Sequence, residues 1–136
     1  MPTTIPDSHR DLLDGPVIAA LATLMPDGQP QLTPVWCSYD GQYVIVNVTA
    51  ERQKAKNMDA RPQVALLLVD PQNQFRWLEI RGLVAEITAA GGGESMYELS
   101  LLYTGQPKRY GIEAPPREVL ERVVYKIRPA QVNYSG

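Results

Sequence analysis

Hydrophobic and polar positions along this chain change period several times, and each change marks a boundary. Short runs rich in β-branched, leucine and aromatic residues, bounded by turn formers, predict strands over 17–24, 30–39, 42–48, 63–70, 75–88 and 119–128. Pro26-Asp27-Gly28-Gln29 and Asp40-Gly41 are hairpin signals, because glycine supplies the positive φ that tight turns between strands require. Helices are predicted at 8–14, 51–60 and 93–103. The first has Asp7 or Ser8 as N-cap, the second is stopped by Arg61-Pro62, and Gly91-Gly92-Gly93 feeds the third. Pro71-Gln72-Asn73-Gln74 turns the chain between strands, and the Pro- and Gly-rich segment 104–117 reads as a surface loop.

Six short strands and three short helices in this order do not alternate as βαβ units. The first three strands are linked by hairpins, so the sheet is mainly antiparallel. Curling it into a small barrel protects its edges. The expected fold class is therefore mainly β with peripheral helices: one antiparallel barrel of about six strands, a single domain over 1–136. Side-chain alternation adds detail. Val64 to Val69 is apolar on both faces and is expected to be buried on both sides. In 75–87, Leu78, Ile80, Gly82 and Val84 share one face, while Phe75, Trp77, Glu79 and Arg81 share the other. With the first set in the core, two aromatics point outward, and a face of that kind meets a partner. A second copy of the chain is the preferred partner; packing beneath the 104–117 loop is the alternative.

Length and charge narrow the function classes. A chain of 136 residues suits one domain. A net charge of −2 and a pI near 5.4 provide no basic field for nucleic acid. One cysteine and one histidine are too few for a structural zinc site, and no metal site is expected. A Ser-His-Asp or Cys-His centre would rest on His9 alone, near an end expected to be mobile. No apolar run approaches the roughly 20 residues that span a bilayer, and the N-terminal segment lacks the basic-then-apolar order of a signal peptide. Cys37 has no partner for a disulfide, which suits a reducing compartment and a cytoplasmic protein.

One cluster carries candidate chemistry. Segment 52–61 holds Arg52, Lys54, Lys56 and Arg61 against Asp59 alone, a local charge of +3 in an acidic protein. Arg52 and Lys54 are expected in the first helical turn, where the backbone is already electropositive and cations are unfavourable. Such an arrangement makes sense when an anion, a phosphate above all, sits there; a solvated basic face with no ligand is the alternative. Upstream, Pro34 interrupts a strand-like run and implies an edge or a bulge. Trp36 offers a flat surface or a core plug, and Gln31 and Thr33 offer hydrogen bonds. Neither a Walker phosphate loop nor a dinucleotide fingerprint is present, and no catalytic side chain stands out. If the protein is an enzyme, a bound cofactor supplies the chemistry.

Taken in order, Ala19 to Leu24, Pro26-Asp27-Gly28, Pro30 to Trp36, Val46-Asn47, Arg52 to Met58, Arg61 to Val64, Val69 to Gly82 and Lys126 to Pro129 resemble the pyridoxamine 5′-phosphate oxidase-like split-barrel family. The likeness runs over nearly the whole chain and is closest to the branch of deazaflavin (coenzyme F-420)-dependent oxidoreductases. The resemblance implies a split β-barrel homodimer with two cofactor sites at the subunit interface. It implies that Arg52, Lys54 and Asn57 hold the cofactor phosphate, that Thr33, Pro34, Val35 and Trp36 line the ring with Gln31 close by, and that Asn47 and Thr49 flank it. Phe75 and Trp77 would reach across from the other subunit. The implied activity is hydride transfer from reduced coenzyme F-420 to an unsaturated small molecule, with solvent or a nearby tyrosine as proton source. The same pocket suits FMN in an oxidase or reductase, and a non-catalytic cofactor-binding protein is the remaining alternative.

Overall fold

The computed structural model describes residues 4–105 and 122–136. Seven antiparallel strands form one curled sheet in the order β2-β1-β5-β6-β7-β4-β3. They are β1 (Ala19–Leu24), β2 (Pro30–Val35), β3 (Cys37–Tyr39), β4 (Val44–Thr49), β5 (Gln63–Val69), β6 (Trp77–Thr88) and β7 (Arg122–Ser135). The helices are α1 (Asp11–Asp14), α2 (Gln53–Ala60) and α3 (Gly92–Thr104). The split-barrel expectation holds, with one strand more than the six expected. The strand predicted at 30–39 is two strands, because Trp36 turns the chain between them. Its first half pairs with β1 and its second half with β4, at opposite ends of the sheet. Pro34 therefore lies on an edge strand, where its missing N–H is harmless.

The hairpins form where the turn residues stand. Gly28 and Gly41 both have positive φ, at +89° and +96°. The Asp27 and Asp40 carboxylates accept the amides of Gln29 and Gln42 just beyond them. Pro62 ends α2 as expected, and its carbonyl accepts the Val84 amide. The last strand runs seven residues beyond its predicted end at 128, through Pro129. Gly82 opposes Pro129 and Arg81 opposes Gln131, so Ala130 is the extra residue of a bulge that absorbs the proline.

Leu21, Leu66, Leu68, Leu78, Ile80, Ile127 and Tyr125 fill the barrel, with Met58 of α2 and Leu12 and Leu13 of α1 closing it. The expectation that Leu78, Ile80 and Gly82 face inward holds. Two corrections follow from the outer face. β5 alternates, with Leu67 and Val69 exposed at 41% and 39%, because no element among the described residues covers that side. Phe75 does not sit on β6 but in the turn before it, exposed at 73%.

The segment that carries His9, expected to lie near a mobile end, is itself tied down. A short 3-10 turn (Asp7–His9) and α1 replace the single helix predicted at 8–14, and neither has a side-chain cap at Asp7 or Ser8. His9 is 1% exposed; its Nε2 donates to the Ser135 carbonyl (2.8 Å) and its Nδ1 accepts the Ser8 hydroxyl (2.8 Å). The Arg76 guanidinium bridges Asp11 and Asp70, fastening α1 to the β5–β6 turn. The proposed packing of the outer face beneath 104–117 falls almost wholly outside the described residues.

Candidate functional site

A cleft of about 340 Å³ opens beside the β2–β3 corner. Pro34, Val35 and Trp36 form the corner side. Asn47 of β4, Lys54 of α2 and Arg122 of β7 bring polar groups, and Ile18 with Met96 and Leu99 of α3 adds apolar lining. The sheet explains the assembly. Asn47 and Arg122 lie on paired strands, with Thr49 directly opposite Arg122. α2 follows β4 after a short turn, which places Lys54 over the same end.

Arg52 is the N-cap of α2 and not part of its first turn. It is exposed, and no side chain caps the helix. Lys54 is half-buried and its pKa is held below the usual lysine range, first by burial and then by repulsion from Arg52 and Arg122. Among the described residues, Lys54 makes no ion pair. A cation in this position is destabilised by its surroundings. Among the described residues, Asn47 Oδ1 and the Thr33 hydroxyl are buried without a hydrogen-bond partner. The Asn47 amide donates to the Gly92 carbonyl (2.7 Å), which fixes its orientation and leaves Oδ1 unsatisfied. Thr33 lies on β2, one residue before Pro34.

The predicted residues divide into three groups. Pro34, Val35, Trp36, Asn47 and Lys54 meet in the cleft, with Arg52 near enough to repel Lys54 and Thr49 beside Arg122 on the neighbouring strand. Asn57 and Gln31 form a second group under α2. Asn57 is fully buried; its Nδ2 donates to the Thr23 hydroxyl (3.0 Å) and to Gln31 Oε1 (3.3 Å). Its Oδ1 accepts from Gln53 (2.8 Å) and Arg61 (3.3 Å). That amide joins α2 to β1 and β2 and does not line the cleft. Phe75 and Trp77 form the third group, away from the cleft, with Trp77 in a groove of about 510 Å³ on the outer face. The groove and its shallow extension are lined by Ala20, Leu32, Leu67 and Val69, and the extension meets the cleft at Ile18 and Pro34.

Arg122, Met96 and Leu99 were not anticipated. A lone arginine opening a strand and two apolar residues on a helix carry no local signal; long-range pairing brings them to Lys54. A tyrosine does stand at the cleft, stacked on Trp36, but it is no ready proton source. The Tyr103 hydroxyl accepts the Cys37 amide (3.0 Å) and faces the carbonyls of Val17 (2.8 Å) and Cys37 (3.0 Å), and burial pushes its pKa up.

A curled antiparallel sheet with a cleft lined by Lys54 and Arg122 and an apolar outer face has the architecture of a split barrel. The chain belongs to the pyridoxamine 5′-phosphate oxidase family, whose pattern matches residues 5–136. Among solved structures, it is similar to a protein named F-420 reductase, with 35% identity, coverage of 95% of this chain and 98% of that one, and a TM-score of 0.84. A conserved hypothetical protein from Mycobacterium tuberculosis is 25% identical, covering 99% and 88% of the two chains with a TM-score of 0.72. The heme storage protein HutZ from Vibrio cholerae shares the fold at 12% identity, with 98% and 96% coverage and a TM-score of 0.70. No curated protein matches the chain.

Proposed function

We propose that this protein is an oxidoreductase that holds reduced coenzyme F-420, a deazaflavin, where two copies of the chain meet, and passes a hydride to an unsaturated small molecule. The observation that carries the reading is Lys54: a half-buried cation, repelled by Arg52 and Arg122 and without an ion pair among the described residues. A phosphate on the ligand relieves that repulsion through charge-assisted hydrogen bonds. The likeness to a protein named F-420 reductase over nearly both full lengths supports the choice of coenzyme.

The residues present suit such a group. Trp36 offers its ring edge and face, Met96 and Leu99 offer apolar contact, and the unsatisfied Asn47 Oδ1 is an acceptor for a ring N–H. At about 340 Å³ the cleft is at the small end of ligand sites, so it takes a ring system and leaves a longer tail to run past Ile18 and Pro34. When bound, the coenzyme supplies the hydride. The chain's own residues bind, orient and exclude water. No general acid is assigned, and the proton comes from solvent.

The second copy rests on the outer face. Leu32, Leu67 and Val69 are 69%, 41% and 39% exposed there, around Ala20, Ala22, Ala65 and Trp77. Contiguous apolar surface of this kind marks an interface. Because it continues into the cleft at Ile18 and Pro34, a partner seated on it borders the ligand. Sedimentation is expected to give a dimer at micromolar concentration, and Leu67→Glu a monomer; a monomeric wild-type protein refutes this part. The unpaired, buried Cys37 suits the reducing cytoplasm.

Titration of the purified protein with coenzyme F-420 and with FMN, followed by tryptophan fluorescence, tests the cofactor. Tighter binding of F-420 is expected, together with hydride turnover on a panel of enones or quinones. Tighter binding of FMN, with a yellow preparation, supports instead an FMN-dependent oxidase or reductase on the same site. Binding without turnover supports a cofactor carrier. No binding of either at tens of micromolar refutes the reading. Histidine ligation of heme has no support in this chain, since its one histidine, His9, is buried with both ring nitrogens engaged.

A further inference from the structure

The β2–β3 corner presents a backbone problem. Val35 is the last residue paired with β1, and Cys37 is the first paired with β4. Where a strand leaves one neighbour for another, ladder partners run out, and a buried amide left without one is costly. Here the partner arrives from 66 residues away. The Tyr103 hydroxyl, at the last turn of α3, accepts the Cys37 N–H at 3.0 Å, and its single proton faces two acceptors, the Val17 carbonyl at 2.8 Å and the Cys37 carbonyl at 3.0 Å. It thus ties together the entry to β1, the start of β3 and the end of α3. The same side chain stacks on Trp36, with ring centroids 5.1 Å apart and planes 14° from parallel. Pro34, Val35 and Trp36 line the cleft from the corner, and α3 contributes Met96 and Leu99 to the same lining. At its other end α3 is held by the Asn47 amide on the Gly92 carbonyl.

We propose that Tyr103 is a positioning residue for the ligand cleft: its hydroxyl holds the Cys37 corner and its ring holds Trp36 flat, so that the corner and α3 keep a fixed separation. It acts through Trp36 and touches no reacting atom. The assignment deepens the cofactor reading and relies on it for the identity of the ligand, though not for the holding of Trp36.

Two variants separate the two contacts. Tyr103→Phe keeps the stacked ring and loses the hydroxyl; Tyr103→Leu loses both. Fluorescence titration with coenzyme F-420 and FMN is read on protein shown to be folded by its melting curve. Tyr103→Phe is expected to weaken binding by about tenfold, the scale of one lost hydrogen bond. Tyr103→Leu is expected to weaken it further and to shift the Trp36 emission. A role confined to stability lowers the melting temperature but leaves the affinity of the folded protein within about twofold, the scatter of surface changes; that outcome overturns the proposal. A second reading needs no coenzyme. Hydrogen exchange is expected to be faster at the Cys37 amide in both variants. Wild-type exchange there, with unchanged tryptophan emission in Tyr103→Leu, also overturns it. Failure of the wild-type protein to bind either coenzyme refutes the cofactor reading and leaves this exchange test to decide the role of Tyr103.

Discussion

Asn57 and Lys54 sit three residues apart in one helix, yet the structure gives them opposite tasks, and replacing each with alanine tests that division. The Asn57 amide makes two short hydrogen bonds, to Thr23 at 3.0 Å and from Gln53 at 2.8 Å, and two longer ones with Gln31 and Arg61 at 3.3 Å each. Short bonds contribute about 1 kcal/mol net each, and the longer pair less. Thr23 is also buried, and only a long contact to Gln31 at 3.5 Å remains for its hydroxyl. Asn57→Ala is therefore expected to destabilise the fold by about 2–4 kcal/mol. With a urea m value of about 2 kcal/mol/M, the unfolding midpoint falls by about 1–2 M. Coenzyme affinity of the protein that remains folded changes little. Lys54→Ala reverses the pattern. Removing a half-buried charge that is repelled by two arginines leaves the midpoint unchanged or higher. Coenzyme binding weakens by about 1–3 kcal/mol, the scale of a charge-assisted bond. Urea unfolding at one fixed protomer concentration, followed by circular dichroism, and fluorescence titration in buffer measure the two effects. A wild-type midpoint in Asn57→Ala, together with an affinity loss matching that of Lys54→Ala, refutes the assignment, because it requires the Asn57 side chain to face the ligand.

Gly82→Ala would place a Cβ 2.6 Å from the Arg128 carbonyl oxygen and 2.9 Å from Ile127 Cγ2, at the bulge where β6 and β7 change register. A loss of about 1–3 kcal/mol is expected in thermal or urea unfolding, the usual range for overpacking; a neutral change contradicts the close approach. Burial pushes the Cys37 thiol up to about 11, so a thiol reagent at pH 8 is expected to label it only after denaturant is added. Prompt labelling of the native protein contradicts that burial. Asp11 and Asp70 are both held below the usual carboxylate range, Asp11 chiefly by Arg76 and Asp70 by the Gln72 amide and then Arg76. A carboxyl lowered by folding adds stability above its unfolded pKa, near 4, and loses it as pH falls through the folded value. Stability is therefore expected to fall below about pH 4, and less steeply in Arg76→Leu. An identical acid limb in the variant excludes the Arg76 contribution.

What the sequence determined by itself was local. Gly28 and Gly41 turn the hairpins because only glycine takes positive φ without strain, and Pro62 stops α2 because proline disfavours helical backbone in the residue before it. Period-two alternation put Leu78 and Ile80 inside. The basic run at 52–56 also needed no tertiary knowledge, since its charge imbalance lies within one turn of helix. Tertiary structure decided matters that depend on distant residues. Trp36 divides a strand because its two halves find different partners. Pro129 stays in a strand because a bulge opposite Gly82 absorbs it. Asn57 is fully buried and Lys54 only half because β1 and β2 approach one face of α2, a fact absent from the order of residues. Leu67 and Val69 are apolar, as a buried strand should be, yet lie open within one chain. Periodicity reports which positions avoid water; it does not report whether the cover comes from the same chain or another.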